Sequence, residues 1–148
     1  MTLKNMTVFR RGLVVWLVII FAEFLHGTAR TLFLQPLVGD FRARQIAVFT
    51  GILIILAVSY GFADWLRAAT YRQLFLVGGL WVGLTLIFEI ALGRLLNLSW
   101  ERILSDYDIS NGGLMPLGLL FLTFAPLIAR ALKDRFSVRA KLSDTKSR

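Results

Sequence analysis

The chain has 148 residues, 57% of them hydrophobic, against about 45–50% in an ordinary soluble domain. The excess lies in long runs, which excludes a separate soluble catalytic domain and predicts an all-α integral membrane protein of about four spans. With no cysteine and one histidine, His26, thiolate chemistry, iron–sulfur clusters, bis-imidazole haem and His-rich metal sites are excluded, so no cofactor or metal is expected.

The first apolar run covers 12–31. Lys4, Arg10 and Arg11 precede it and resemble a twin-arginine signal, but Glu23 interrupts the run and no A-x-A pattern follows, so it reads as a retained span. Glu23, His26 and Arg30 fall within about 60° of one another on a helix, with Trp16 and Ile19 continuing that face inward. The second run, 45–64, is opened by Arg42, Arg44 and Gln45; Asp64, Arg67 and Arg72 mark its inner end.

The third run, 74–94, carries Gly78, Val82, Thr85, Glu89 and Gly93 on one face and ends at Arg94. Gly79 and Gly83 form a GxxxG beside that face and read as a helix-packing seam. Residues 95–112 form the longest connection. Ser99 can cap a short helix, and Trp100, Ile103, Leu104 and Tyr107 follow at i, i+3, i+4 and i+7. The spacing predicts an amphipathic helix in the outer interface, with both aromatics at headgroup level; a solvated loop is the plain alternative. Asp40, Asp106 and Asp108 read as solvated loop acids. The fourth run, 113–132, holds Pro116 and Pro126, which would kink it. A basic tail, 133–148, follows domain 1–132 and reads as partly disordered.

Four spans place both termini on one side. That side carries twelve Lys and Arg, including Lys141, Lys146 and Arg148, and the other carries Arg30, Arg42, Arg44, Arg94 and Arg102. The positive-inside rule then puts both termini in the cytoplasm of a bacterial inner membrane. The net charge of +8 accordingly reads as topology and contact with anionic lipid headgroups, with no nucleic-acid partner.

Counting ~1.5 Å per residue from the inner ends puts Glu89 ~22 Å up, His26 ~21 Å up and Glu23 one turn deeper. These groups share a layer if the first and third spans touch, with Arg30 and Arg94 above it. An ionised side chain facing lipid costs ~2.5–3.5 kcal/mol on insertion scales, so these groups are expected to face the bundle interior. A plain Glu89–Arg30 ion pair that fixes helix register, and a purely structural His26, are the bland readings.

Through EFLHGTARTLFLQPLVGDFRARQ, FEIALGR and SWERILSDYD the chain resembles a family of small four-span bacterial inner-membrane proteins. That resemblance implies the fold and supplies no activity. Ala22-Glu23 with Gly27-Thr28, and Trp81 with Gly83, are similar to small multidrug resistance transporters over about one helix. The chain departs from them in His26, Arg30, Glu89 and its charged outer loop.

Three functions are compatible with these residues. The leading one is a non-enzymatic accessory or binding subunit, a homo-oligomer or part of a larger complex, holding an ion or lipid headgroup through Glu23, His26, Arg30, Glu89, Arg94, Arg42 and Arg44. The second is a proton-coupled transporter using Glu23 and Glu89. The third is an enzyme acting on a lipid headgroup, with a glutamate as base and His26 as acid; it lacks a nucleophile beside a base.

Overall fold

The computed structural model describes the backbone of residues 3–146 and the side chains of residues 6–139; the side chains of Lys4, Lys141 and Lys146, and the whole of Arg148, lie outside the described residues. Among the described residues every element is helical. Helix α1, Leu3–Ala29, continues through a π turn, Arg30–Leu34, into α2, Gln35–Val38. Gly39, at φ 82° and ψ 160°, reverses the chain. Such a φ is readily available only to glycine. Helix α3, Asp40–Leu66, begins at the next residue. The first outer connection is therefore a single residue, and Arg42 and Arg44 stand in the first turns of α3, where a longer link was expected.

Thr70 accepts a hydrogen bond from the Gln73 N–H and starts α4, Tyr71–Leu95. Ser99 likewise caps α5, Trp100–Leu104, by accepting from the Arg102 N–H at 3.2 Å. A 3₁₀ turn, Ile109–Asn111, and Gly112 at φ 84° lead to α6, Met115–Lys146. Pro116 falls in the first turn of α6, where no intrahelical N–H is needed; it helps to start the helix and does not kink it. Pro126 is inside the helix and fully buried. Helix α6 runs on to Lys146, through the segment read as a partly disordered tail.

Three helical stretches, Asp40–Leu66, Tyr71–Leu95 and Met115–Arg139, are each long and apolar enough to cross a membrane. Helix α1 packs on α3 and α4, and α6 packs on the same two. The long helices thus form a ring in the order α1, α3, α6, α4, with α1 and α6 at opposite corners. Arg11 donates to the Trp65 carbonyl at 3.1 Å. Asp64 pairs with Lys133 at 2.6 Å and Arg130 at 3.5 Å. These contacts gather the start of α1, the end of α3 and the charged half of α6 at one end, here the terminal end. They also give Asp64 partners on α6, whereas the sequence had set it beside Arg67 and Arg72.

The core is densest between the middle of the bundle and the terminal end, around Val15, Trp16, Ile19, Val77, Trp81 and Leu122. Two indoles stitch α1 to α4. Trp81 Nε1 donates to the Gly12 carbonyl at 2.7 Å, and Trp16 Nε1 donates to Thr85 Oγ1 at 3.0 Å. Gly78 brings α4 against α6 so closely that a Cβ there would lie 1.9 Å from the Thr123 carbonyl oxygen. A Cβ on Gly79 or Gly83 would meet no heavy atom within 4 Å. The expected GxxxG seam therefore faces outward, and the packing glycine is its neighbour. Helix rotation decides this, since adjacent residues on a helix point ~100° apart.

Candidate functional site

At the loop end, the four long helices and the loop between α4 and α6 enclose a cavity of about 740 Å³. Its walls are mostly apolar. Glu23, His26, Arg30, Arg44 and Glu89, all singled out from the sequence, line it together with Arg102, Asp106 and Tyr107. Burial of such groups among their own kind is what the cost of facing lipid predicts.

The α1–α4 register differs from the one the sequence suggested. A Cβ on Gly12 would meet Val77 at 3.1 Å, and the indole bonds join 12 to 81 and 16 to 85. Offsets of 65 to 69 residues set Glu89 beside positions 20 to 24 of α1. Glu89 is thus level with Glu23, and His26 lies about one turn nearer the loops. The discrepancy arises because α1 and α4 both begin before their apolar runs, by unequal lengths, so run starts do not mark a common height.

Each carboxylate has its own holder. Glu23 Oε2 meets His26 Nδ1 at 3.3 Å, and its carboxylate occupies the space that a side chain at position 51 would take: a Cβ on Gly51 would stand 2.9 Å from Oε2. His26 Nε2 lies 2.8 Å from Thr50 Oγ1. The Thr50 hydroxyl has the carbonyls of Ile46 and Ala47 at 3.3 and 3.2 Å to donate to. With those carbonyls as its acceptors, the Thr50 hydroxyl oxygen can accept from Nε2–H. On the facing helix, Tyr107 Oη donates to Glu89 Oε2 at 2.7 Å. Arg30 takes no part in that pair, so the expected Glu89–Arg30 ion pair does not form.

Above these acids lies a ring of opposite charges. Asp40 stands 3.6 Å from Arg30, 3.3 Å from Arg44 and 3.6 Å from Arg102. Asp106 stands 2.5 Å from Arg44 and 3.2 Å from Arg102. Asp40 and Asp106, read from the sequence as solvated loop acids, are therefore the bridges of the network. Gln45 Nε2 donates to the Gly112 carbonyl at 3.1 Å and closes the same seam. Asp108 keeps the loop-acid role, accepting from Ser110 and Asn111. Those hydrogen bonds hold its carboxyl below the usual range.

Two candidates fall outside the cavity. Arg94 turns to the surface, donates to the Leu98 carbonyl at 3.1 Å and lies over the Trp100 ring at 5.2 Å. Arg42 is exposed and does not line the cavity. Trp100 is exposed as expected, but Tyr107 reaches into the cavity and away from any headgroup level. Burial first, and then the hydrogen bond to the Glu89 carboxylate, raise the Tyr107 phenol above its ordinary value of 10.0.

Sequence reasoning missed Thr50, Asp40, Arg102, Asp106 and Tyr107. A hydroxyl on the second span at the height of His26 was a usable signal for Thr50. The other residues lie on or beside connections whose paths only the fold sets.

Glu23 Oε1, Arg30 Nη1 and Arg44 Nε are buried without a hydrogen-bond partner. The two guanidinium nitrogens face Asp40 in ion pairs at 3.6 and 3.3 Å, so the unpartnered polar atom at the cavity wall is the acceptor Glu23 Oε1. Thr50, the one hydroxyl on His26, is not among the residues lining the cavity, so no nucleophile faces it from that imidazole. Among the described residues no group of three or more His, Asp or Glu is arranged to hold a metal. No protein-family model, curated protein or solved structure matches the chain.

Proposed function

We propose that this is a four-span protein of a bacterial inner membrane with both termini in the cytoplasm. It acts as a non-enzymatic binding or accessory subunit whose cavity takes the anionic headgroup of an amphiphile. Helix α1 supplies the fourth span, since residues 12–29 carry a single charged side chain, Glu23. The basic terminal end supports the orientation.

The observation that carries the reading is the arginine ring. Arg30, Arg44 and Arg102 stand over a largely apolar cavity and share two aspartates, Asp40 and Asp106. Three guanidinium groups against two carboxylates leave one positive charge over at the rim. Guanidinium groups are well suited to phosphate and carboxylate oxygens.

The test is native mass spectrometry of protein released from vesicles of phosphatidylethanolamine and phosphatidylglycerol. Wild type should retain phosphatidylglycerol above its share of the vesicle, and Arg44→Gln should lose that preference about tenfold, the effect of ~1.4 kcal/mol. Equal retention of both lipids by wild type would remove the reading.

A second reading, proton-coupled transport, is favoured by one specific feature: Glu23 and Glu89 line one cavity at the same height. It requires Glu23→Gln to abolish proton-coupled uptake in proteoliposomes while the protein still inserts.

A further inference from the structure

The cavity has a direction as well as a lining. Helices α1 and α4 are stitched by indole hydrogen bonds toward the terminal end. Their stitches are Gly12 to Trp81 and Trp16 to Thr85. Beyond Ile19 no residue of α1 is fully buried, and beyond Thr85 only Gly93 of α4 is, covered by Ile103 of the loop. Helix α3 behaves differently, with Ala43, Gly51, Ile52 and Ile55 buried in the same half. So α1 and α4 bury few residues toward the loop end while α3 stays packed.

The walls of the resulting gap belong to the cavity and to the protein surface at once. Phe24, Leu32 and Leu96 line the cavity yet are 49%, 62% and 63% exposed. From above, the loop is fastened across the cavity by Tyr107 to Glu89, Asp106 to Arg44 and Gln45 to Gly112. The open side therefore faces sideways, where the surrounding medium of a spanning bundle is acyl chain.

The depth is also that of a lipid. From Arg30 to Ile19, the deepest lining residue on α1, eleven helical residues rise ~16 Å. Half of a ~30 Å hydrocarbon core is ~15 Å, the depth of one leaflet. Arginines crown the gap and apolar side chains flank it. Glu23 points inward against Gly51 of α3 and Glu89 is held by Tyr107, while Thr28 and Thr31, which also line the gap, turn their hydroxyls back to the Phe24 and Gly27 carbonyls, so the outward strip presents no carboxylate.

Building on the headgroup-binding reading, we infer that the occupant is an intact phospholipid of the outer leaflet that enters sideways between α1 and α4, its phosphate under Arg30 and Arg44 and one acyl chain lying along Phe24, Leu92 and Leu96. Water-soluble phosphates are not its ligands, because the loop closes the path from above and the outward strip gives them nothing.

The structure offers a plug for testing this. A side chain at Gly27 meets no heavy atom within 4 Å of its Cβ, and Gly27 lines the cavity. Gly61 is equally open but lies outside the cavity, near the terminal end. In the same vesicles, Gly27→Trp should retain at least fivefold less phospholipid than wild type, Gly61→Trp should match wild type, and added glycerol phosphate should displace nothing. Retention by Gly27→Trp equal to wild type, or displacement by glycerol phosphate, overturns the inference. Independently of any variant, wild type is photolabelled with a phospholipid carrying a diazirine midway along one chain. Adducts should concentrate on 19–32 and 85–96, and an even spread over all four long helices overturns the inference. If Arg44→Gln loses lipid while Gly27→Trp keeps it, the headgroup reading stands and the sideways path falls. If wild type shows no lipid preference, both fall.

Discussion

Tyr107 Oη sits 2.7 Å from Glu89 Oε2 and joins the loop between α4 and α6 to the middle of the bundle. One phenol thereby gives a carboxylate on a helix long and apolar enough to cross a membrane its hydrogen bond and pins the connection above it. Tyr107→Phe removes this donor and keeps the ring. Loss of a hydrogen bond to a charged group costs ~1.5–3 kcal/mol, so amide exchange over 99–113 should quicken at least tenfold. Unchanged exchange there would show that the ion pairs alone hold the loop.

The same phenol predicts a response to alkali. Its folded-state value is raised above the ordinary 10.0, chiefly by burial and then by the Glu89 carboxylate. A raised value means that the folded state favours the protonated phenol, so this contribution is fully present below pH 10 and is lost as pH rises beyond it. In wild type, loop exchange corrected for intrinsic rate should increase above about pH 10, and in Tyr107→Phe that increase should vanish.

Gly78 and Gly83 separate close packing from chance spacing. A Cβ at 78 would lie 1.9 Å from a backbone oxygen of α6, whereas one at 83 meets nothing. Gly78→Ala must push two helices apart and should lose ~1–3 kcal/mol or more, read as a lower melting temperature in mild detergent. Gly83→Ala should fall within ~0.5 kcal/mol of wild type or gain slightly from helix propensity. A reversal of the two would place the seam on the GxxxG face.

Arg44 and Asp106 are coupled across the loop at 2.5 Å, each about one-fifth to two-fifths exposed. Arg44→Gln and Asp106→Asn, singly and together, form a double-mutant cycle. Exposed pairs usually couple by ~0.2–1 kcal/mol. Sharing of both residues with Asp40 and Arg102 should put the coupling at the upper end of that range. A coupling of zero would reduce the ring to coincidence of geometry.

Trp81 is fully buried and donates to the Gly12 carbonyl. Trp81→Phe removes that bond and leaves a void, which together should cost ~2–4 kcal/mol. The signature is a fall in melting temperature with lipid retention in the folded fraction unchanged, since the indole lies below the cavity and does not line it.

Some of this was readable before any coordinates. The long apolar stretches at α3, α4 and α6 follow from composition alone, because unpaired backbone is forbidden in hydrocarbon and only helices satisfy it locally. The Ser99 cap was readable too, since capping depends on a few consecutive residues. The cost of turning charge to lipid led to the expectation that Glu23, His26 and Glu89 come together, and all three line one cavity. Their pairing did not follow. His26 and Glu23 are three residues apart on one helix and could be joined by periodicity. Thr50, Tyr107 and the Asp40 and Asp106 bridges depend on how α3 and the loop lie against α1 and α4.

The sequence by itself determined that these helices exist, which stretches are long and apolar enough to cross a membrane, and that charge gathers toward one end. These are properties of single segments against their solvent. Only the tertiary structure decided that Glu89 stands level with Glu23, that Gly78 and not Gly83 is the contact, and that α1 and α4 bury few residues beside the cavity. Those outcomes depend on the axial offset and rotation between helices, which are set by interlocking side chains such as Trp16, Trp81 and Thr85. A slide of one turn leaves every segment's own pattern intact while changing every partner.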